Sequence, residues 1–248
     1  MENTTTTHNA RREFLRGAAL TTAGLAGAGL LAPPARALDK TLTFGDIPTL
    51  RLLNLPGLPA GNDVKVLNYA LTLEDLESDL YAQAVMRLTT GGANKVGKTI
   101  PGLGLSEMQP DVAAVREFAA VEAAHRDFLR GALNSLIAGL ATRPRKYDFG
   151  IESKSREEVL AMLVMVEGTG LAAYLGAVPK LKTKLFVTAA AAIQGTEARH
   201  TAVLTAIQNE LFNGGSPKPV APLANDNNGI DRPIDPDTVL AQVSPFIV

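Results

Sequence analysis

The sequence has no cysteine and no tryptophan, and only 5% of its 248 residues are aromatic. The lack of cysteine excludes disulfides, thiolate metal sites, iron–sulfur clusters and cysteine nucleophiles. Any metal site must therefore use Asp, Glu or His, which favours iron, manganese or zinc. A formal net charge of -1 gives no electrostatic reason to expect nucleic acid or an anionic membrane as a partner. What is present is an Ala- and Leu-rich chain with 46% hydrophobic residues, enough to bury a helical core.

Residues 1–37 are organised differently from the rest of the chain. The run from Arg11 to Arg16 resembles the twin-arginine export signal, with two adjacent arginines followed by Phe-Leu and a basic residue. An apolar stretch from Gly17 to Leu31 follows and is too short for an ordinary membrane span. Ala35-Arg36-Ala37 then offers a small-x-small cleavage site. The alternatives are a chance arginine pair before a helix, or an uncleaved anchor.

The export interpretation makes residues 1–37 a signal peptide and has three consequences. We expect the twin-arginine export machinery as a partner and a periplasmic or otherwise extracytoplasmic location. We expect a mature chain that begins at about Leu38. We expect no stable membrane span in that mature chain.

The rest of the chain contains four long helical patterns. They follow an irregular lead-in, residues 38–62, and we predict that they form one domain over residues 63–212. The tail, residues 213–248, is predicted to be coil that packs on the bundle. The four helices are predicted at about Asp63 to Leu88, Pro110 to Leu140, a Ser155 cap to just before Pro179, and Leu181 to Phe212.

The connection between the second and third helices, about Ala141 to Lys154, is irregular and longer than a tight turn. Such a connection favours a crossover from one side of a bundle to the other. We therefore predict an all-α fold, a four-helix bundle with one long crossover between helices two and three.

Charged residues interrupt the apolar stripe of every helix. Residues in alternating steps of three and four define the face that each helix turns towards the core. A bare carboxylate there costs several kcal/mol, and four of them would repel one another. Two divalent cations would cancel four carboxylate charges, and two neutral imidazoles would complete the ligand set. The residues concerned are Glu74, Glu122, His125, Glu167, Glu197 and His200.

These charged positions repeat in pairs along the chain. The first and third helices each carry Glu with Tyr seven residues later, and the second and fourth each carry Glu with His three residues later. The i, i+3 spacing lets one helix present Glu and His on the same face. An internal duplication would place the site on a pseudo-twofold axis. The pairs are Glu74 with Tyr81, Glu122 with His125, Glu167 with Tyr174, and Glu197 with His200.

One ambiguity concerns the first helix. Glu77 lies one turn from Glu74 and could replace it as the inward-facing carboxylate. Only Glu74 has the tyrosine at +7 that the third helix repeats, so Glu74 is the preferred candidate.

Two segments carry a resemblance to a known family: Leu67-Asn68-Tyr69-Ala70-Leu71 through Tyr81, and Glu197-Ala198-Arg199-His200. They resemble the ferritin-like superfamily, in particular its exported ferritin-like domain proteins. The resemblance covers about residues 63–212. It implies a ferritin-like four-helix bundle that holds two iron ions, or alternatively two manganese ions.

The resemblance also implies a role for each candidate residue. The glutamates of the second and fourth helices would bridge the metals, those of the first and third would be terminal ligands, and each histidine would bind one metal. The two tyrosines would be hydrogen-bond donors to ligating side chains. The bridging pair is Glu122 and Glu197, the terminal pair is Glu74 and Glu167, the histidines are His125 and His200, and the tyrosines are Tyr81 and Tyr174.

The functional expectation is a metal-dependent oxidoreductase that oxidises ferrous iron or reduces oxygen or peroxide. Its partners would be metal ions and a small-molecule oxidant. Because members of this family are often linked to stress, the alternative is a stress-related metal-binding or structural bundle with little or no turnover. A storage cage is disfavoured, since the long Pro-rich ends would have to be accommodated in its shell. The sequence leaves open whether the protein forms a smaller homo-oligomer.

Residues 92–99, GANKVGKT, match the phosphate-binding loop pattern letter for letter. That loop requires a strand before it and a helix that begins at the Lys-Thr pair. Here a predicted helix precedes the segment, and Ile100-Pro101-Gly102 follows it. We therefore interpret the match as chance.

Overall fold

The computed structural model describes residues 41–49, 61–220 and 229–248. The predicted export signal and most of the lead-in lie outside the described residues. The described part is helical, with four long helices, one short helix and a small hairpin. The helices are α1 (Gly61–Leu88), α2 (Pro110–Leu136), α3 (Arg156–Ala177), α4 (Lys184–Phe212) and α5 (Pro236–Val243), and the strands are β1 (Gly91–Ala93) and β2 (Thr99–Pro101).

The four long helices pack as a bundle with a crossover. Helix α1 packs against α2 and α3, and α4 packs against α3 and α2. The consecutive helices α2 and α3 therefore lie on a diagonal, and the chain between them crosses the bundle. Tyr147, Phe149 and Ile151 of this crossover are buried in the same core as the helices. The predicted all-α bundle is confirmed.

Local capping explains where α3 begins. Ser155 Oγ accepts a hydrogen bond from the Glu158 amide at 3.3 Å, and Glu158 Oε2 accepts one from the Ser155 amide at 2.7 Å. This reciprocal pair satisfies two amides that the first helical turn leaves without partners. It is the capping box that the sequence predicts.

Two helix ends differ from the prediction. Helix α2 ends at Leu136 rather than near Leu140, because Ile137 is extended and Gly139 adopts a left-handed φ of 78°. Helix α4 begins at Lys184 rather than near Leu181. The chain before it forms a 3₁₀ turn, Val178–Lys180, which contains a proline, and Leu181 after this turn is extended rather than helical.

The prediction of coil for residues 213–248 is wrong over Pro236–Val243, which forms helix α5. Asp235 caps this helix by accepting a hydrogen bond from the Asp237 amide at 2.9 Å, and Pro236 occupies the first helical turn. Val243 and Phe246 are buried in the main core. The part of the tail around α5 therefore belongs to the bundle.

The GANKVGKT segment lies in the β1–β2 hairpin, in which Gly92 pairs with Ile100. The Asn94 side chain accepts hydrogen bonds from the amides of Val96 and Lys98, which closes the turn. The Lys98 ammonium lies 2.7 Å from Asp148, in the crossover. The segment thus lacks the strand–loop–helix arrangement that a phosphate-binding loop requires.

One described segment, Arg156–Lys180, is long and apolar enough to cross a membrane by length and composition, with a mean hydropathy of 1.7. In the bundle, 61% of its most apolar window is buried against the rest of the protein. A core helix passes the same test, so this is weak evidence for a span.

Candidate metal centre

The interior of the bundle contains a cluster of acidic and imidazole side chains contributed by all four long helices. Each helix presents one glutamate, and all four glutamates have 0% exposure. The structure brings together all six residues that the sequence predicts. They form two overlapping groups whose ligand atoms lie within 4.8 Å of one another: Glu74, Glu122, His125 and Glu197, and Glu122, Glu167, Glu197 and His200.

The first group surrounds His125. Its Nδ1 lies 3.1 Å from Glu122 Oε2, 3.4 Å from Glu197 Oε1 and 3.5 Å from Glu74 Oε2. One imidazole nitrogen thus faces carboxylates from three helices. A divalent cation near these atoms would have ligands of the types that iron and manganese accept.

The second group surrounds His200. Its Nδ1 lies 2.7 Å from Glu122 Oε1 and 3.2 Å from Glu167 Oε1. The imidazole is also held by stacking on Phe118, with ring centroids 3.9 Å apart and planes 21° apart. Glu122 and Glu197 belong to both groups, so they are the two carboxylates placed to bridge.

Several of these carboxylate oxygens are buried without a hydrogen bond. Glu74 Oε2, Glu167 Oε2 and both oxygens of Glu197 have no hydrogen-bond partner in the described part of the chain. Buried polar atoms are normally satisfied, and a buried unpaired carboxylate is costly. Metal ions bound between the glutamates would satisfy these oxygens, so the residues present fit a dinuclear metal centre.

The protonation of the cluster reflects burial and mutual repulsion. Burial is the main cause that raises the pKa of Glu74 and of Glu167 to about 8, with further contributions from neighbouring glutamates. Burial also acts to raise the pKa of Glu122, but hydrogen bonds with His125 and His200 lower it to about 2. The metal-free centre therefore holds protons where the metal-bound centre would hold cations.

The tyrosines Tyr81 and Tyr174 connect the two halves of the cluster. The Tyr81 hydroxyl donates a hydrogen bond to Glu167 Oε1, and the Tyr174 hydroxyl donates one to Glu74 Oε1. Each tyrosine therefore binds the glutamate of the other half, across the interface between α1 and α3. Both side chains are almost completely buried.

Sequence reasoning missed an ion pair beside the cluster. Asp75 follows Glu74 on α1 and accepts two hydrogen bonds from the Arg130 guanidinium of α2, at 2.8 and 2.7 Å. Both hydrogen bonds come from Nη2 of the guanidinium, and this charge-assisted pair ties the two helices together beside the cluster, since Asp75 directly follows Glu74. Asp75 and Arg130 show no repeat in the other half, so the pattern that reveals the six cluster residues gives no signal for them.

Glu77, the alternative to Glu74, is also buried, with 2% exposure. It is not a member of either ligand group, whereas Glu74 is. The structure therefore places both Glu74 and Glu77 of α1 in the interior, with Glu74 beside His125.

A bundle with one crossover and two Glu-x-x-His pairs facing two further glutamates belongs to the class of helical bundles with a buried carboxylate–histidine centre. The model of the ferritin-like domain family matches residues 62–210, and the chain belongs to that family. The predicted superfamily is therefore confirmed. A search of curated proteins gave no match.

Proposed function

We propose that this protein is an exported di-iron, or alternatively di-manganese, carboxylate protein that oxidises ferrous iron or reduces oxygen or peroxide. The observation that carries the proposal is the pair of overlapping ligand groups, whose buried carboxylate oxygens lack hydrogen bonds. A structural role alone would leave these oxygens uncompensated. Two divalent ions would neutralise the four glutamates.

The proposed ligands follow from group membership. Glu122 and Glu197 belong to both groups, so they would be the two ligands that both metals share. The remaining glutamate and histidine of the first group would hold one metal, and those of the second group would hold the other. The terminal pairs are Glu74 with His125, and Glu167 with His200.

The burial of the cluster limits the size of the molecules that can reach it. Two bound iron or manganese ions would supply electrons to a small oxidant. The four glutamates are fully buried, and of the six cluster residues the most exposed is His125, at 13%. Substrates as small as oxygen, peroxide or a metal ion fit such restricted access. Tyr81 and Tyr174 hold the terminal glutamates in place with their hydroxyl protons.

Export is part of the proposal and depends on Arg11 and Arg12, which lie outside the described residues. The twin-arginine route would carry the protein to the periplasm or an equivalent compartment. Replacing both residues with lysine, Arg11→Lys/Arg12→Lys, should retain the protein in the cytoplasm. Cell fractionation checks this, and unchanged export of the variant would contradict it.

The decisive experiment is metal analysis by mass spectrometry on the exported, folded protein. We expect about two iron or manganese ions per chain. The double variant Glu122→Gln/Glu197→Gln should lose both, because it removes both bridging charges. The matched control is Glu117→Gln/Glu210→Gln, which changes exposed glutamates on the same two helices and should keep the metal.

A folded wild-type protein without metal would contradict the proposal. Equal metal content in wild type and the bridging variant would contradict the assigned ligands. If metal is present, oxygen consumption after addition of ferrous iron, and decay of added peroxide, test for turnover. Retained metal without either reaction would favour the metal-binding bundle with little or no turnover over the enzyme.

A further inference from the structure

Glu77 is a fifth buried carboxylate beside the centre, and the proposed function does not use it. It lies on α1, one turn after Glu74, with 2% exposure. Its Oε2 has no hydrogen-bond partner among the described residues. A buried carboxylate oxygen without a partner needs an explanation, and a nearby cation is one.

The internal repeat shows why there is room for this side chain. Glu77 lies three residues after Glu74, and Gly170 lies three residues after Glu167, so the two occupy equivalent positions in the two halves. A Cβ built on Gly170 would lie only 2.5 Å from Glu77 Oε1. The side chain on α1 therefore fills the space left by the missing side chain on α3.

The same glycine locates the Glu77 carboxylate relative to the cluster. The Cβ position of Gly170 also lies 3.3 Å from Glu197 Oε2. The carboxylates of Glu77 and Glu197 thus approach the same point of α3 from two other helices. Glu197 is one of the two residues shared by both ligand groups, so the Glu77 carboxylate lies next to the centre although it belongs to neither group.

We propose that Glu77 is a seventh protein ligand of the dinuclear centre and that its charge makes the two metal positions unequal. The inference rests on the proposed function, since it assumes that the six-residue cluster binds metal. Four glutamates are neutralised by two divalent ions, whereas a fifth carboxylate leaves an excess negative charge on one side of the pseudo-twofold axis. The metal position nearer to Glu77 then binds its cation more tightly, and the two ions load in two separate steps.

The electrostatics of the metal-free protein agree with this placement. Burial raises the pKa of Glu77 well above its usual value, and the charges of all four cluster glutamates raise it further, Glu197 the most of the four. The pKa of Glu77 is thus raised by the same carboxylates that the proposed metals would neutralise. A glutamate that served only to fill space would carry the free-energy cost of a buried carboxylate here without a compensating interaction.

The test is a titration of the metal-free mature protein with Co²⁺ and with Mn²⁺, followed by calorimetry and, for Co²⁺, by electronic absorption. Wild type should bind two ions in two resolved steps. Glu77→Gln should weaken the tighter step by at least about tenfold, bring the two steps together and change the Co²⁺ spectrum. Asp79→Asn is the matched control, because Asp79 is a buried acid on the same helix that pairs with Lys95 at 3.5 Å. It should leave both steps unchanged.

A second variant keeps the charge but moves it to the other half. Glu77→Gly/Gly170→Glu places the fifth carboxylate on α3, at the equivalent position. If Glu77 acts as a ligand, this variant should regain two separate binding steps that Glu77→Gln has lost. Circular dichroism of both metal-free variants verifies the fold. Because glutamine has nearly the same shape and no charge, Glu77→Gln should be at least as stable as wild type without metal.

The outcomes separate the two proposals. A folded wild type that binds neither Co²⁺ nor Mn²⁺ would contradict the proposed function together with this inference. A wild type that binds two ions while Glu77→Gln keeps the same affinities and spectrum would overturn only the role of Glu77. Weaker binding in Glu77→Gln, with separate steps regained in the relocated variant, would support it.

Discussion

At the scale of single residues, the two tyrosine hydroxyls fix the geometry of the centre. Tyr81 and Tyr174 each reach across the interface between α1 and α3, to Glu167 and Glu74, the proposed terminal ligands. One oxygen of each glutamate is thereby restrained, and the other is left for a metal. The sequence repeat predicts that the tyrosines face the centre, but not that each binds the glutamate of the opposite half.

We predict that Tyr81→Phe and Tyr174→Phe each lower the metal affinity of the protein by about 10- to 100-fold, the usual effect of losing a partner of a ligating side chain. Each should also cost the metal-free protein about 1–3 kcal/mol, since a buried carboxyl oxygen loses its donor. Metal titration and urea unfolding measure the two effects. Tyr147→Phe is the control, because Tyr147 is equally buried but its hydroxyl donates a hydrogen bond to the Thr72 carbonyl, at 3.5 Å, and not to a cluster glutamate. Wild-type affinity in both cluster variants would refute the assigned role.

At the scale of elements, the docking of the tail depends on a glycine of α3. The Ile234 amide donates a hydrogen bond to the Ala172 carbonyl at 3.0 Å. A Cβ on Gly176 would lie 2.0 Å from the Ile234 carbonyl oxygen. The backbone of Ile234 cannot move aside as the end of a flexible side chain can, so any side chain at position 176 would clash with it. The close approach of tail and helix therefore requires glycine here.

We therefore predict opposite effects for two Gly→Ala substitutions in helices. Gly131→Ala on α2 should stabilise the protein by about 0.5–1 kcal/mol, because its Cβ would meet nothing within 4 Å and alanine favours the helix. Gly176→Ala should destabilise it and expose the tail, because the clash outweighs the helix preference. Urea unfolding gives the sign of each change, and limited proteolysis reports release of the tail. A stabilised Gly176→Ala protein would show that the tail is not held at this point.

The elements also show which parts of the fold can be predicted from sequence. The start of α3 is predictable because Ser155 and Glu158 cap it within three residues of each other. The end of α2 is not predictable from the local sequence, because it depends on Asn68, far away in the chain. The Asn68 side chain donates a hydrogen bond to the Leu140 carbonyl at 3.1 Å and accepts one from the Thr142 amide at 2.7 Å. That contact, together with the left-handed Gly139, holds the chain beyond Leu136 in a non-helical path, and the glycine alone does not fix where the helix ends.

The residues of the centre also divide into those that can be predicted from sequence and those that cannot. Its six candidate ligands are predictable because each lies on an apolar stripe and recurs in the second half of the chain. The burial of Glu77 is not evident from helix α1 alone. It becomes understandable only when the repeat is used to compare Glu77 with Gly170, since the missing side chain on α3 creates the space.

At the scale of the whole molecule, stability depends on which charges the interior holds. In the metal-free protein, folding raises the pKa of Glu74 and Glu167 from 4.5 to about 8. Their contribution to stability is therefore fully present below about pH 4.5 and is lost as the pH rises towards 8. The lowered pKa of Glu122 acts in the opposite sense, and its contribution is lost as the pH falls from 4.5 towards 2. Metal-free protein should thus be less stable at pH 8 than at pH 5.

Bound metal would reverse this dependence, because a cation binds the carboxylate form and competes with the proton. We predict that the difference in melting temperature between metal-loaded and chelator-treated protein increases steadily from pH 5 to pH 8. Thermal unfolding followed by circular dichroism measures both curves. In Glu74→Gln/Glu167→Gln, the metal-free curve should become less steep over this range, since two of the glutamates with a raised pKa are gone while Glu77 and Glu197 remain. Parallel curves for loaded and metal-free wild type would mean that the metal does not replace these protons, and the buried glutamates would then be neutral residues of an ordinary core.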